Sequence, residues 1–254
     1  MEIIKTAIKV GNSAGVLLPK AWLNSSVKII LEPLNIEKEI LEIISAENIL
    51  KNTLGVYITG SYSRNEETIE SDIDILVITS DLNKRIKHGK YEIICISEKE
   101  VERQLNENAL PILPMILEAK AVINEDLIKR YSQAKLDKKN LKWHINTTKS
   151  AMNVVKASIK LSKEMKTMEN DSTAYSLILR LRTLYIIDCI RKNKMWGKKE
   201  FLKLIKIISG SLVAYERYTL SKNKNTRSNL LPVEDAERLM DYINEKVEEL
   251  RKNA

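Results

Sequence analysis

Two aspartates separated by one residue, Asp72 and Asp74, lie at the start of an apolar run at residues 73–78 that has the composition of a strand. Side chains alternate between the two faces of a strand, so both carboxylates are expected to project from the same face. Two neighbouring carboxylates repel each other unless a cation lies between them. Oxygen ligands of this kind suit Mg²⁺, which proteins hold with one or two carboxylates and substrate phosphates. The pattern therefore predicts a strand that carries a metal-binding pair.

A glycine-serine pair, Gly60 and Ser61, follows the preceding apolar run at residues 56–58. Glycine allows a close approach of the backbone to a phosphate, and a serine hydroxyl can donate a hydrogen bond to it. A phosphate-binding turn that faces a metal-binding pair is the minimum equipment for nucleotidyl transfer. We therefore expect both features to belong to one site.

The complete motif reads Gly60-Ser61, then Arg64, then Ser71-Asp72-Ile73-Asp74. In order and spacing it resembles the minimal nucleotidyltransferases of the DNA polymerase β superfamily. The resemblance implies that Asp72 and Asp74 hold Mg²⁺, expected as two ions. It also implies a nucleoside triphosphate, with ATP as the expected nucleotide, bound by Gly60, Ser61, Arg64 and Ser71. Arg64 has the alternative of pairing with a neighbouring glutamate at the surface.

A third carboxylate often completes the site in this superfamily. Glu92 is the one acidic residue in the next strand-like run, residues 90–96, and we expect it to complete the metal site or to activate the acceptor. In related antibiotic-modifying nucleotidyltransferases a later glutamate acts as general base. Glu118 is a candidate for that role, but the sequence favours an ordinary solvated residue there.

The first 34 residues form a second motif, in which a Gly-Asn-Ser turn at Gly11 joins two short apolar runs and the pair Pro19-Lys20 follows. A third strand is expected at residues 27–32. Strands this short hardly enclose a core alone. The segment resembles the swapped-hairpin DNA-binding domains of the AbrB and MazE type, in which two chains interleave. That resemblance implies a homodimer and DNA contacts from Lys9, Asn12, Ser13 and Lys20. A hairpin that merely extends the catalytic sheet is the alternative.

Charge is distributed unevenly along the chain of 254 residues. Residues 35–130 carry 12 Lys and Arg against 18 Asp and Glu, whereas residues 131–254 carry 26 against 14. A basic half-chain can attract nucleic acid through its phosphates, although a solvated lysine-rich surface has the same composition. The two cysteines lie in apolar runs and predict no disulfide framework. Without a secretory leader or a long apolar run, we expect a cytoplasmic protein that does not enter a membrane.

Between these motifs, apolar spacing predicts a helix at residues 36–53 and strands at 55–59, 73–79 and 90–96. Residues 97–100 are read as a capping box that opens a helix, and Pro111 and Pro114 as breaks in the chain. A last strand is expected at residues 119–123, and a polar, basic loop at residues 221–228.

The last half of the chain has helical periodicity from about residue 139, with an apolar stripe through Met152, Val155 and Ile159 and a closing helix near Pro232. It resembles the HEPN-like bundles that follow minimal nucleotidyltransferase domains. HEPN ribonucleases carry an arginine four to six residues before a histidine. His88 and His144 have no such arginine, so ribonuclease activity is not expected, and both histidines are read as ordinary residues.

These features predict an α+β protein of three parts: a swapped-hairpin β module at residues 1–34, a polymerase-β-like mixed sheet with helices at 35–130, and an all-α basic bundle at 131–254. The expected activity is Mg²⁺-dependent transfer of a nucleoside monophosphate. The acceptor stays open between a protein hydroxyl, as in toxin–antitoxin pairs, the 3′ end of an RNA, and a small antibiotic-type molecule. The alternative outside catalysis is a DNA-binding regulator whose nucleotidyltransferase fold only senses nucleotide.

Overall fold

The computed structural model describes residues 3–5, 7–30, 35–69, 71–222 and 231–252. The chain forms two compact units, Met1–Ile40 and Leu41–Ala254. Each is described by itself. The expected division into three parts, with boundaries after residues 34 and 130, stays a prediction.

The first unit contains one antiparallel hairpin, made of β1 (Ile8–Val10) and β2 (Ser13–Gly15). Gly11 takes the left-handed conformation at the turn, with φ +58°, which glycine adopts without the strain of a side chain. After Pro19 the chain makes one 3₁₀ turn, Lys20–Trp22. The third strand expected at 27–32 is not formed at residues 27–30, and residues 31 and 32 lie outside the described part.

Apolar side chains are exposed along the whole of this hairpin segment. Among the described residues between 3 and 30, ten large aliphatic side chains are more than a third exposed. They are Ile3, Ile4, Ile8, Val10, Leu17, Leu18, Leu23, Val27, Ile29 and Ile30. The segment therefore does not bury its own apolar surface.

The second unit is built on a five-stranded mixed sheet with the order β5-β6-β4-β3-β7. The central pair, β4 and β6, is parallel, and the other pairs are antiparallel. The strands are β3 (Thr53–Thr59), β4 (Ile73–Thr79), β5 (Lys84–His88), β6 (Tyr91–Ser97) and β7 (Lys120–Ile123). A parallel pair needs a crossover instead of a tight hairpin between its strands, and here that crossover carries β5.

Four of these strands agree with the sequence prediction, and β5 was missed. Apart from the partly buried Asp74, the central strand β4 is buried throughout and apolar from Ile75 to Ile78, which is the pattern of a strand covered on both faces. In contrast, β5 reads Lys-Arg-Ile-Lys-His, with only Ile86 buried. Charged side chains of this kind are common on edge strands, where they discourage pairing with a further chain.

Helices alternate with the strands in the first half of the chain and make up the second half. They are α1 (Ile36–Ala46), α2 (Gly60–Ser63), α3 (Glu98–Glu107), α4 (Leu113–Glu118), α5 (Glu125–Ser132), α6 (Lys138–Met165), α7 (Asp171–Arg191), α8 (Lys198–Ser209), α9 (Val213–Lys222) and α10 (Val233–Lys252). Only the N-cap half of the capping box predicted at residues 97–100 is present: the Ser97 hydroxyl accepts from the Glu100 backbone N–H at 3.3 Å, whereas the Ser97 backbone N–H donates to the Asn83 side-chain oxygen at 2.9 Å. Pro114, expected to break the chain, instead lies in the first turn of α4, where a proline is tolerated.

Helices α6 to α10 enclose one apolar core, and the predicted stripe of Met152, Val155 and Ile159 is buried in it. The closing helix begins at Val233, directly after Pro232, as predicted. Of the polar loop expected at residues 221–228, the first two residues belong to α9 and the rest lie outside the described part. The predicted α+β class, with a mixed sheet followed by an all-helical half, is confirmed. No helix in the described ranges has the length and apolar content needed to cross a membrane.

His144 is buried where α6 meets the end of α3, and its Nε2 lies 3.0 Å from the Asn108 side-chain oxygen. Burial, and then the nearby Arg180 charge, lower the pKa of His144 from 6.5 to about 4. As pH falls, the His144 imidazole is therefore protonated near pH 6.5 in the unfolded chain but only near pH 4 in the folded chain. The histidine thus destabilises the fold progressively as pH falls through this window, by at most about 3 kcal/mol.

We expect His144→Gln to reduce this acid sensitivity, because glutamine keeps a side-chain donor and does not titrate. The free energy of unfolding in urea, measured at pH 7.5, 6 and 5 for both proteins, gives the two slopes. A variant that loses stability with falling pH as steeply as the wild type would show that His144 is not buried in its neutral form.

Candidate active site

The Gly60 turn connects β3 to β4 and lies against Asp74. Strand β3 ends at Thr59, which is paired with Asp74 across the antiparallel ladder. Gly60 then turns the chain with φ +67° into the short helix α2. A Cβ atom on Gly60 would lie 2.1 Å from Oδ2 of Asp74, so only glycine fits this position without a shift. The structure therefore places the predicted phosphate-binding turn beside one of the predicted metal ligands.

The three predicted metal ligands lie at one end of the central strands. Asp72 immediately precedes β4, and Asp74 is its second residue. On the parallel neighbour β6, Glu92 is in register with Asp74. Paired residues of adjacent strands project from the same face of a sheet. Glu92 is exposed and accepts a hydrogen bond from Lys87 Nζ at 3.1 Å.

Asp74 is in a strongly negative environment. Burial, followed by the charges of Glu92, Glu118 and Asp72, raises its pKa from 3.8 to about 6, and Lys222 opposes this in part. A carboxylate disfavoured in this way by its neighbours is stabilised when a cation binds beside it. In the described ranges, no three His, Cys, Asp or Glu side chains form a set that could hold a metal ion. The donor chemistry fits Mg²⁺ held by two carboxylates with water and substrate phosphates, and a role for Glu92 as third ligand stays a prediction.

The two predicted phosphate-binding serines lie in the segment that connects β3 to β4. Ser61 is in α2, where its carbonyl accepts from the Glu66 backbone N–H at 2.9 Å. The Ser71 hydroxyl accepts from the Thr68 backbone N–H at 2.8 Å and so closes the turn that leads into Asp72. Both serines lie between Gly60 and Asp74 in sequence, and their phosphate contacts stay predictions.

Comparison with known proteins identifies the family. The family described as nucleotidyltransferase domain matches residues 37–171, more than half of the chain. The chain belongs to the nucleotidyltransferase domain family. No curated protein matches it in sequence.

Two solved structures resemble this nucleotidyltransferase at low similarity. One is a nucleotidyltransferase-like protein from Exiguobacterium sibiricum, with 12% identity and a TM-score of 0.38 over 85% of this chain and 75% of that one. The other is a spectinomycin adenyltransferase from Enterococcus faecialis, solved with ATP and spectinomycin. It shows 15% identity and a TM-score of 0.41 over 84% of this chain and 98% of that one. Neither similarity is high enough to transfer a residue or a substrate to this chain.

Arg64 of the nucleotidyltransferase is held by carboxylates on two sides. Its Nε donates to Glu66 at 3.1 Å, and its Nη1 pairs with Glu118. Burial lowers the pKa of Arg64, but the charges and hydrogen bonds of Glu118 and Glu66 outweigh it and raise the pKa overall. The pairing with a neighbouring glutamate, which was the alternative for Arg64, is therefore present. A phosphate contact by Arg64 stays a prediction.

Glu118 corrects the sequence analysis, which expected a solvated residue. It is the last residue of α4 and is buried. Its Oε1 accepts from the Gly60 backbone N–H at 2.7 Å, and its Oε2 accepts from Arg64 and from Trp196 Nε1, the latter at 3.1 Å. Three donors compensate the burial of its charge. The partners are distant in sequence, so local periodicity gave no signal for this residue.

The predicted DNA-binding residues lie in the first unit and are all exposed. Lys9 is in β1, Asn12 is in the hairpin turn, Ser13 opens β2, and Lys20 begins the 3₁₀ turn. Exposure leaves their side chains accessible to a nucleic acid. The AbrB-like assignment and the DNA contacts stay predictions, as does the HEPN-like assignment of the helical half.

Proposed function

We propose that this protein transfers a nucleoside monophosphate from a nucleoside triphosphate, with ATP as the expected donor, to an acceptor hydroxyl. The observation that supports this most directly is the contact of the Gly60 turn with Asp74, where a side chain on Gly60 would come within 2.1 Å of the carboxylate. A triphosphate held by the turn has its phosphates at the acidic cluster. In the reaction the acceptor oxygen bonds to the α-phosphorus, the bond to the bridging oxygen breaks, and pyrophosphate leaves.

Each chemical role in this reaction has a candidate residue in the chain. Asp72 and Asp74 hold Mg²⁺, and Gly60, Ser61 and Ser71 contact the triphosphate. When bound, the metal neutralises phosphate charge and favours in-line displacement. Glu92 completes the ligand set or takes the proton of the acceptor.

The acceptor is proposed from charge. The helical half carries 26 Lys and Arg against 14 Asp and Glu, and Lys222 at the end of α9 is near enough to act on the pKa of Asp74. The basic composition of the helical half favours a polyanionic acceptor such as the 3′ end of an RNA. A protein hydroxyl, including that of a toxin–antitoxin partner, and a small hydroxylated molecule are the other two acceptor classes.

Label transfer tests this proposal and separates the acceptors. The wild type and the Asp72→Ala, Asp74→Ala double variant are each incubated with an α-³²P-labelled nucleoside triphosphate, Mg²⁺ and a total cell extract. Label in RNA that is absent with the variant supports RNA tailing, and label in a protein band supports adenylylation of a protein. If neither protein transfers label to RNA, to protein or to a small molecule, the result would favour a regulator that only senses nucleotide.

A second function, DNA binding by a homodimer, is proposed from the first unit. Ten exposed aliphatic side chains between residues 3 and 30 form more apolar surface than one hairpin can cover. A second copy of the segment supplies the missing cover. The resulting pair presents Lys9 and Lys20 twice, as binding to a duplex with two-fold symmetry requires.

We expect the full chain to sediment as a dimer at micromolar concentration. Ile29 is 69% exposed, and in the dimer proposed here it becomes buried. Ile29→Asp should therefore yield a monomer, whereas Ser25→Asp, a matched change at a polar exposed position, should not. A wild-type monomer under these conditions would contradict the proposal.

A further inference from the structure

A short segment of the helical half contacts the two carboxylates that hold the Gly60 turn. This segment, Trp196 to Lys198, connects α7 to α8 and is called here the 196–198 segment. The buried Trp196 donates from Nε1 to Glu118 Oε2 at 3.1 Å. The Lys198 backbone N–H donates to both oxygens of Glu66 at 3.0 Å. The helical half therefore supplies hydrogen-bond donors next to the predicted triphosphate site.

The two carboxylates are themselves tied to the 60–64 turn, which consists of Gly60 to Arg64. Glu118 accepts from the Gly60 backbone N–H, and Glu66 donates its own backbone N–H to the Ser61 carbonyl at 2.9 Å. Arg64 joins the two, since it donates to both. The turn is thus tied to both glutamates, and the bonds that the two carboxylates accept from Gly60 and Arg64 are charge-assisted, which makes them stronger than neutral ones.

The Glu66 contact resembles a helix cap supplied from outside the helix. Gly197, at the N-terminus of α8, has no side chain to cap the helix, and the Glu66 carboxylate takes that place. Burial raises the pKa of Glu66, but the Lys198 N–H, the Arg64 guanidinium and the Lys199 N–H together lower it below its ordinary value. A Cβ on Gly197 would come within 2.5 Å of Glu200 Oε2 and 2.8 Å of Glu66 Oε1, so a side chain at 197 would displace one or both carboxylates.

The 196–198 segment is also fixed on its other side. The Tyr185 hydroxyl on α7 accepts from the Gly197 N–H at 3.2 Å and lies 3.4 Å from its carbonyl oxygen. Tyr185 therefore links α7 directly to the 196–198 segment. Both oxygens of Glu118 are already engaged by Gly60, Arg64 and Trp196, so this carboxylate acts on the turn rather than on a substrate in the arrangement seen.

We propose that Trp196 and the Lys198 backbone are positioning groups, which hold the 60–64 turn in the conformation that receives the triphosphate. The helical half thereby determines nucleotide affinity from outside the sheet. The consequence for catalysis rests on the proposed nucleotidyl transfer. The effect on the turn itself does not depend on that activity.

Trp196→Phe tests the proposal, because it keeps a ring in the buried position and removes the indole N–H, one of the three donors to Glu118. Trp143→Phe is the matched control, since Trp143 is half exposed on α6. We expect amide hydrogen exchange of a peptide covering residues 60–64 to quicken about tenfold in Trp196→Phe and to be unchanged in the control. The KM for the nucleoside triphosphate should rise about tenfold, with a smaller change in kcat.

A second variant keeps the proposal testable if the Trp196→Phe protein does not fold. Gly197→Ala places a methyl group against Glu66 and leaves the tryptophan unchanged. It should produce the same increase in the amide hydrogen exchange rate at residues 60–64. Equal exchange at residues 60–64 in Trp196→Phe, Gly197→Ala and the control would overturn the positioning role. The two proposals can also fail separately. If both variants show faster exchange but the wild type transfers no nucleotide, the positioning role is supported and the proposed function is refuted.

Discussion

Replacement of Asp74 by asparagine should reduce nucleotidyl transfer by at least ~1,000-fold, about 4 kcal/mol of transition-state stabilisation, without destabilising the protein. Asparagine has the same shape but lacks the charge that a divalent cation requires. Burial and three neighbouring carboxylates raise the pKa of Asp74 to about 6. Ionised Asp74 therefore disfavours the folded state without metal near neutral pH, and its removal should leave the melting temperature unchanged or raise it.

The rate of transfer and the melting temperature without metal, both at pH 7.5, check this prediction. Asp126→Asn on α5 is a suitable control, because Asp126 is an exposed acid away from the central strands. It should retain the wild-type rate. An Asp74→Asn protein that keeps its activity, or that loses activity only because it unfolds, would contradict the assignment of Asp74.

Gly60→Ala is the second change with a large expected effect, and we expect kcat/KM to fall about 100-fold. Misplacement of a reacting group by about 1 Å can produce a loss of this size. The added Cβ would lie 2.1 Å from Asp74 Oδ2, and the backbone at φ +67° is unfavourable for alanine. Either the turn or the aspartate must move. The left-handed backbone alone costs an L-residue about 1–2 kcal/mol, so stability should fall as well.

Gly89 offers a matched control for this substitution. It has a similar backbone, with φ +56°, in the turn between β5 and β6, and a Cβ there would meet no atom within 4 Å. Gly89→Ala should therefore lower the free energy of unfolding in urea but leave kcat/KM for nucleotidyl transfer unchanged. If both alanine variants lose activity equally, the contact between Gly60 and Asp74 is not the cause.

The elements that the sequence predicted depend on neighbours in the chain. Strands β4 and β6 follow from apolar runs that each contain a single acidic residue, and the start of α3 follows from Ser97 and Glu100, three residues apart. The end of α1 was predicted too late, at about residue 53. Apolar spacing continues past it, but Asn48 takes the left-handed conformation, φ +59°, that commonly ends a helix.

The features that the sequence missed depend on contacts between distant residues. Trp196 is 78 residues from Glu118, and Arg64 is 54 residues from it. A glutamate after an apolar helical turn has the same local pattern whether it faces solvent or a buried arginine. The motif at Gly60, Asp72 and Asp74 could be recognised because its residues are close in sequence, whereas the groups that surround it could not.

The measurement that tests nucleotidyl transfer most directly is the stoichiometry of its products. ATP labelled at the α-phosphate is converted in the presence of Mg²⁺ and the acceptor fraction found by label transfer, and pyrophosphate is measured in the same reaction. One pyrophosphate per adenylate incorporated, with neither formed by the Asp72→Ala, Asp74→Ala protein, is the predicted result. Release of inorganic phosphate without incorporated label, or equal products from both proteins, would contradict the account.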